Sequence, residues 1–168
     1  MDSALATCID QIRAAAAQRT PLRIRGGGTK DFHGLALHGE VLSTAALSGV
    51  LSYEPSELVV TARAGTALAE LDALLAERGQ CLPFDPPHYG PSATVGGMVS
   101  AGWSGPARAS VGAVRDYVLG VGLVNGRAEH LQFGGQVMKN VAGYDVSRLV
   151  AGAWGTLGLL TEVSLKVL

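Results

Sequence analysis

Aromatic residues make up only 5% of this chain, and charged residues 16%. Two cysteines, Cys8 and Cys81, sit far apart with no second ligand at metal spacing. That excludes a zinc or iron–sulfur site built on cysteine and leaves two structural thiols. The net charge is -1 and the pI about 6.4, so there is no basic footprint for nucleic acid or an anionic membrane. No apolar run is long enough to span a bilayer. The opening segment, MDSALATCIDQIRAAAAQRT, lacks a basic start followed by an apolar block. The expectation is no signal peptide and a cytoplasmic location. What the chain has instead is 48% hydrophobic residues, enough for a real core in 168 residues, and 23 glycines.

Periodicity predicts an α+β chain. Leu5, Ile9 and Ile12 mark one face of a helix over residues 3–18, stopped by Pro21. Leu22 and Ile24 alternate with Arg23 and Arg25, as a strand does. EVLS, VLSY and LVVTARA read as further strands over 40–63. Thr66 opens a helix to Arg78, with Leu68, Leu71, Leu74 and Leu75 as its buried stripe and Gly79 as its stop. PFDPPHYGPSA, with four prolines, reads as an ordered loop. YVLGVGLVNGRAEHLQF reads as a hairpin on a type I′ Asn125-Gly126 turn. In the tail, Leu157, Leu159, Thr161, Val163, Leu165 and Val167 alternate onto one face. The expected arrangement is two-lobed: a small βαβ lobe over 1–85 and an antiparallel sheet lobe with flanking helices over 86–168.

The strand at Leu22 runs into RGGGTK. Consecutive glycines after a strand present several N–H groups into one concavity, a nest suited to a phosphate. A side chain there would hold the anion away, and Thr29 adds a hydroxyl. Two familiar phosphate motifs do not fit. Lys30 follows Thr29 rather than Gly, so the Walker pattern is absent. DFHGLALHGE is not helical, so the Rossmann pattern fails as well.

Several stretches then agree: RGGGTK, YEPSELVVTARAGTALAELDALLAERGQCLPFDPP, ATVGGMVSAGWSGP, VRDYVLGVGLVNG and MKNVAGYDVSRLVAGAWGTLGLLTEVSLKVL. In this order they resemble the PCMH-type FAD-binding domain of the vanillyl-alcohol oxidase and D-lactate dehydrogenase superfamily. Within it they are most similar to the FAD-binding E subunits of bacterial glycolate oxidases. The resemblance runs from Pro21 to Leu168.

It implies FAD. Gly26, Gly27, Gly28 and Thr29 would grip the pyrophosphate. Thr94, Gly96 and Gly97, followed by Ser104 and Gly105, would pack against the flavin and pyrophosphate. Pro86 would approach the flavin ring, and Gly158, Leu159 and Leu160 would meet the adenine end. Thr29 stands where many relatives carry a histidine for covalent attachment, so the flavin is expected to be non-covalent. Gly102 replaces a frequent Asn, and Ala153-Trp154 replaces Ser-Glu before GTLG. Relatives continue into a substrate-binding cap, which the resemblance places beyond Leu168 and therefore outside this chain.

The implied activity is oxidation of 2-hydroxy acids in a glycolate-oxidase-like complex, with a catalytic flavoprotein and an iron–sulfur subunit as partners and any membrane association through them. Two alternatives stand beside it: an assembly subunit that kept the fold without a redox role, and a stand-alone FAD oxidoreductase of another substrate. No catalytic residue is assigned. His88, in PPHYG, is a base candidate against a turn-stabilising role. His33 lines the glycine loop; His38 and His130 read as surface residues. Arg115-Asp116 reads as a local ion pair, Asp145 as a helix cap, and Lys139-Asn140 as a segment near the flavin or a partner. Trp103 and Trp154 are either partner anchors or core.

Overall fold

The computed structural model describes residues 3–135 and 143–168. Lys139 and Asn140 lie outside the described residues. Helix α1 (Ser3–Gln18) buries Cys8, Ile9, Ile12 and Ala15, the spacing of one helical face. It ends at Arg19, whose φ of 56° turns the chain toward Pro21. Strands β1 (Leu22–Arg25) and β2 (Glu40–Ser43) pair in parallel as a separate two-stranded sheet. Parallel strands usually need a helical crossover. Here the 26–39 connection is the glycine loop, not the helix of the expected βαβ unit, because its sequence has no apolar period.

The second sheet has five strands in the order β3-β4-β7-β5-β6, all antiparallel. They are β3 (Val50–Glu54), β4 (Val59–Arg63), β5 (Val118–Val124), β6 (His130–Gly134) and β7 (Leu159–Lys166). The sheet draws β3 and β4 from before residue 85 and the others from after it. A boundary at 85/86 therefore does not separate two sheets. Two apolar clusters nevertheless form. The larger holds Val60, Leu71, Phe84, Val99, Val163 and Leu165 under α2 (Leu68–Ala76) and α3 (Val95–Ala101). The smaller joins α1 to Leu42, Leu47, Val124 and Leu159.

Four sequence expectations change. Helix α2 starts at Leu68 rather than Thr66, because the buried Thr66 hydroxyl is spent on the Gly49 backbone. Helix α3 was hidden by its two glycines, which weaken helix propensity. The hairpin loop spans Asn125 to Glu129, with positive φ at Ala128 rather than at Asn125 and Gly126. The Asn125 side chain accepts hydrogen bonds from the amides of Arg127 and Glu129 and sets that longer loop. Finally, the β5–β7 register shifts between Gly122 and Leu123, so Leu123 pairs with Leu160 and Thr161 is skipped. A bulge reverses the alternation. Leu159 enters the small cluster while Leu160 joins Val163 and Leu165.

Among the described residues, α4 (Arg108–Val111) and α5 (Val146–Leu149) are one-turn α-helices. Asp145 caps α5 as expected, accepting from the Arg148 amide at 3.1 Å. Asp116 accepts from the Ala113 amide at 2.9 Å. No Arg115–Asp116 ion pair forms among the described residues.

Candidate functional site

A cleft of about 300 Å³ opens beside the glycine loop. Its walls come from the 25–31 loop, the start and body of α3, the 154–156 turn, and Gly158 and Leu160 at the head of β7. Of the sequence-predicted residues it brings together Gly26, Gly27, Gly28, Thr29, Thr94, Gly96, Gly97, Gly158 and Leu160.

The four others stand elsewhere. Leu159 is fully buried in the smaller cluster, on the far side of the bulge. Ser104 accepts from the Val114 amide at 3.0 Å. The Gly105 amide donates to the Phe84 carbonyl at 2.9 Å, and a Cβ there would press on Asp85. Pro86 is buried beside Asp85, outside the cleft lining. The resemblance grouped these with the cleft, whereas the 84–86 and 104–105 segments brace each other.

The glycine loop is shaped by protein neighbours. A Cβ on Gly27 would overlap the carbonyl of Ser92, whose hydroxyl in turn donates to the Gly27 carbonyl at 2.9 Å. A Cβ on Gly26 would come 2.6 Å from the Thr94 hydroxyl. Gly28 has φ +71° and lies against the Arg25 guanidinium. That guanidinium reaches across the loop to Asp31, Nε at 2.8 Å and the terminal nitrogen at 2.7 Å on one carboxylate oxygen. Asp31 raises the Arg25 pKa further, chiefly through this hydrogen bond. The loop is thus closed at its base by an ion pair.

The backbone donors of the loop point to its chemistry. Among the described residues no protein acceptor takes the amide hydrogens of Gly26, Gly27, Gly28 or Thr29. Half-buried amides without partners in one concavity form an anion nest. The glycines of α3 differ. The Gly96 amide donates to the Ala64 carbonyl at 2.7 Å and the Gly97 amide to the Thr94 hydroxyl at 3.1 Å. A Cβ on Gly96 would meet Ala64 Cβ at 2.7 Å. These glycines bring α3 close to β4 and give the cleft a bare backbone wall. Gly26 to Thr29 thus line the cleft with amides that no described protein acceptor takes.

The sequence reading missed several cleft residues: Arg25, Lys30, Asp31, Thr44, Ser100 and Thr156. Lys30 stands next to the glycine run, which was the available signal. Trp154 and His33 also line the cleft, with rings stacked 4.5 Å apart. Trp103 lies 5.4 Å from Trp154, and Tyr89 and Phe32 extend the cluster outward. Neither tryptophan is buried in the core: Trp154 lines the cleft and Trp103 packs against it. Trp154 adopts φ 53°, and its amide donates a hydrogen bond to the Ser100 carbonyl at 2.9 Å.

His88 is not a cleft residue. Its Nε2 sits 3.0 Å from an Asp72 carboxylate oxygen on α2. Burial raises the Asp72 pKa, and His88 partly offsets that. Gly102 caps α3 with φ 68° and packs on Gly152, where a Cβ would come within 2.7 Å of the Gly152 Cα. Cys8 is buried, Cys81 exposed, and both are free. Among the described residues no cluster of His, Cys, Asp and Glu is arranged to hold a metal. No helix among them is long and apolar enough to cross a membrane.

Comparison with known proteins agrees with this geometry. The family described as "FAD binding domain" matches residues 5–134. Glycolate oxidase subunit GlcE of Escherichia coli (strain K12) is 51% identical over 160 residues, covering 95% of this chain and 46% of that protein. The mitochondrial D-lactate dehydrogenase [cytochrome] of Arabidopsis thaliana is 32% identical, over 89% of this chain and 26% of its own length. Glycolate oxidase subunit GlcD of Bacillus subtilis (strain 168) is 32% identical, over 89% and 32% respectively. This chain thus spans less than half the length of these relatives. Among solved structures, an alkyldihydroxyacetonephosphate synthase superposes with a TM-score of 0.74 at 22% identity, covering 95% of this chain and 29% of its own. That likeness shows the fold. The chain belongs to the FAD-binding domain family, and FAD is its cofactor.

Proposed function

We propose that this chain is the FAD-holding part of a glycolate-oxidase-like flavoprotein that serves the oxidation of 2-hydroxy acids. The observation that carries this reading is the 51% identity to glycolate oxidase subunit GlcE along 95% of the chain. The unpartnered amides of Gly26 to Thr29 support it from the side of physical chemistry. They would hold the diphosphate, with Thr94, Gly96 and Gly97 giving close backbone approach. When bound, the flavin supplies redox chemistry, taking up and giving back electrons.

The flavin is held non-covalently in this reading. Thr29 offers a hydroxyl rather than an imidazole at the loop, neither Cys8 nor Cys81 lines the cleft, and the His33 ring, which does, is stacked on Trp154. The protein orients the cofactor and narrows water access with the His33–Trp154 stack. A separate catalytic flavoprotein would oxidise the 2-hydroxy acid and an iron–sulfur protein would take the electrons, and these partners would also supply any membrane association of a cytoplasmic chain. Gly102 does not favour a fold-only assembly role, because its departure from Asn has a packing reason at Gly152.

The test is an absorbance spectrum of the purified full-length protein after incubation with FAD and removal of excess. Bands near roughly 370 and 450 nm that leave the protein on acid treatment are expected. Absence of any bound flavin would sink the reading. Co-purification with tagged chain then identifies the subunits.

A further inference from the structure

We propose that Lys30 is the cationic partner of the FAD diphosphate, and so the residue that favours the dinucleotide over flavins lacking phosphate. This rests on the FAD reading above and deepens it. Lys30 directly follows the free amides of the loop and lines the same cleft.

The neighbouring charges leave this role to it. Arg25 also lines the cleft, but its guanidinium fork is committed to Asp31 by two contacts, at 2.8 and 2.7 Å. Asp31, the carboxylate next to Lys30, is therefore occupied as well. Among the described residues no carboxylate lies within ion-pair distance of Lys30. Its ammonium instead rests 5.8 Å from the centroid of the Tyr89 ring, a cation–π contact. Tyr89 itself is exposed, and its loop adjoins Thr29 through Gly90, where a Cβ would be 3.4 Å from the Thr29 methyl.

A half-buried ammonium with only a ring beneath it carries a desolvation cost that no anion offsets. Burial accordingly holds the Lys30 pKa below the ordinary lysine value. The charged groups lining the cleft are Arg25, Lys30 and Asp31, and the first and last cancel. A diphosphate diester carries two negative charges. Amides alone can hold it, but a cation at this distance gives a charge-assisted contact that neutral donors do not.

The experiment is a fluorescence titration of the full-length protein with FAD, ADP and riboflavin, for wild type, Lys30→Met and Lys30→Arg, at low and high salt. Circular dichroism checks that the variants fold. Wild type is expected to bind FAD. Lys30→Met should weaken FAD and ADP about tenfold and flatten the salt dependence, with riboflavin unchanged. Lys30→Arg should restore most of the affinity. If wild type binds FAD and Lys30→Met binds it equally, or loses riboflavin to the same extent, the proposal is overturned. If wild type binds neither FAD nor ADP, the FAD reading itself has failed and this inference with it.

Discussion

Two glycine-rich segments wall the same cleft, and they do different work. Gly26 to Gly28 hang between two short parallel strands and keep their amides free. Gly96 and Gly97 sit in α3, and their amides are consumed by Ala64 and Thr94. The first segment offers donors; the second offers only closeness. Absence of a side chain is shared, so the sequence pattern alone does not distinguish a nest from a packing contact. The distinction lies in where each amide hydrogen goes.

Substitution should separate the two. Gly27→Ala places a Cβ on the Ser92 carbonyl, so the loop must move. Because that loop carries little of the core, the expected result is FAD affinity reduced about a hundredfold with thermal stability nearly unchanged. A titration beside a melting curve checks it, and equal losses in both would erase the contrast. Gly96→Ala should do the reverse. Its Cβ meets Ala64 side chain and backbone together, and overpacking should cost about 2 kcal/mol, or roughly 6 °C in Tm.

Thr94 links the two segments. Its hydroxyl accepts from the Gly97 amide at 3.1 Å and packs under Gly26. Thr94→Ala should cost about 1 kcal/mol of stability as a lost helix cap, with a smaller loss of FAD affinity. Thr94→Ser should recover both, as read by the same two assays.

The smallest effect marks the edge of the site. Asp72 and His88 pair outside the cleft, so Asp72→Asn should leave FAD affinity untouched. Burial raises the folded-state pKa of Asp72. The folded protein then holds that proton more tightly than the unfolded chain does. Stability contributed by this group therefore falls as pH rises from the ordinary carboxylate value through the raised one. Asp72→Asn removes the penalty, and should stabilise the protein by a few tenths of a kcal/mol at neutral pH and by nothing well below the carboxylate range. Melting curves across that pH range test the sign.

Local signals in the sequence carried α1, the Gly79 stop, the Asp145 cap, most strands, and Leu68, Leu71 and Leu75 of the α2 stripe, whose Leu74 is only half-buried. Each depends on neighbours within a few residues. What the sequence left unread depends on distant partners. The glycines of α3 obscured a helix whose reason is Ala64, some thirty positions earlier by contact rather than by pattern. The tail reads as one uninterrupted alternation, yet the bulge opposite Gly122 reverses its phase and sends Leu159 and Leu160 to different clusters. The division of strands between two sheets follows from long-range pairing that periodicity does not encode. The glycine loop was legible as a local run, whereas Ser104, Gly105 and Pro86 came with it from the family resemblance, and Thr44, Ser100 and Thr156 reach the cleft from distant parts of the chain. The aromatic cluster at the mouth, built from 32–33, 89, 103 and 154, has no local signature at all.

The most direct measurement is a crystal structure of the full-length protein with FAD. The account predicts the diphosphate oxygens within about 2.7–3.2 Å of the amides of Gly26 to Thr29, and none bonded to the amides of Gly96 and Gly97. A diphosphate seated on α3 instead, with the glycine loop amides left to water, would contradict it.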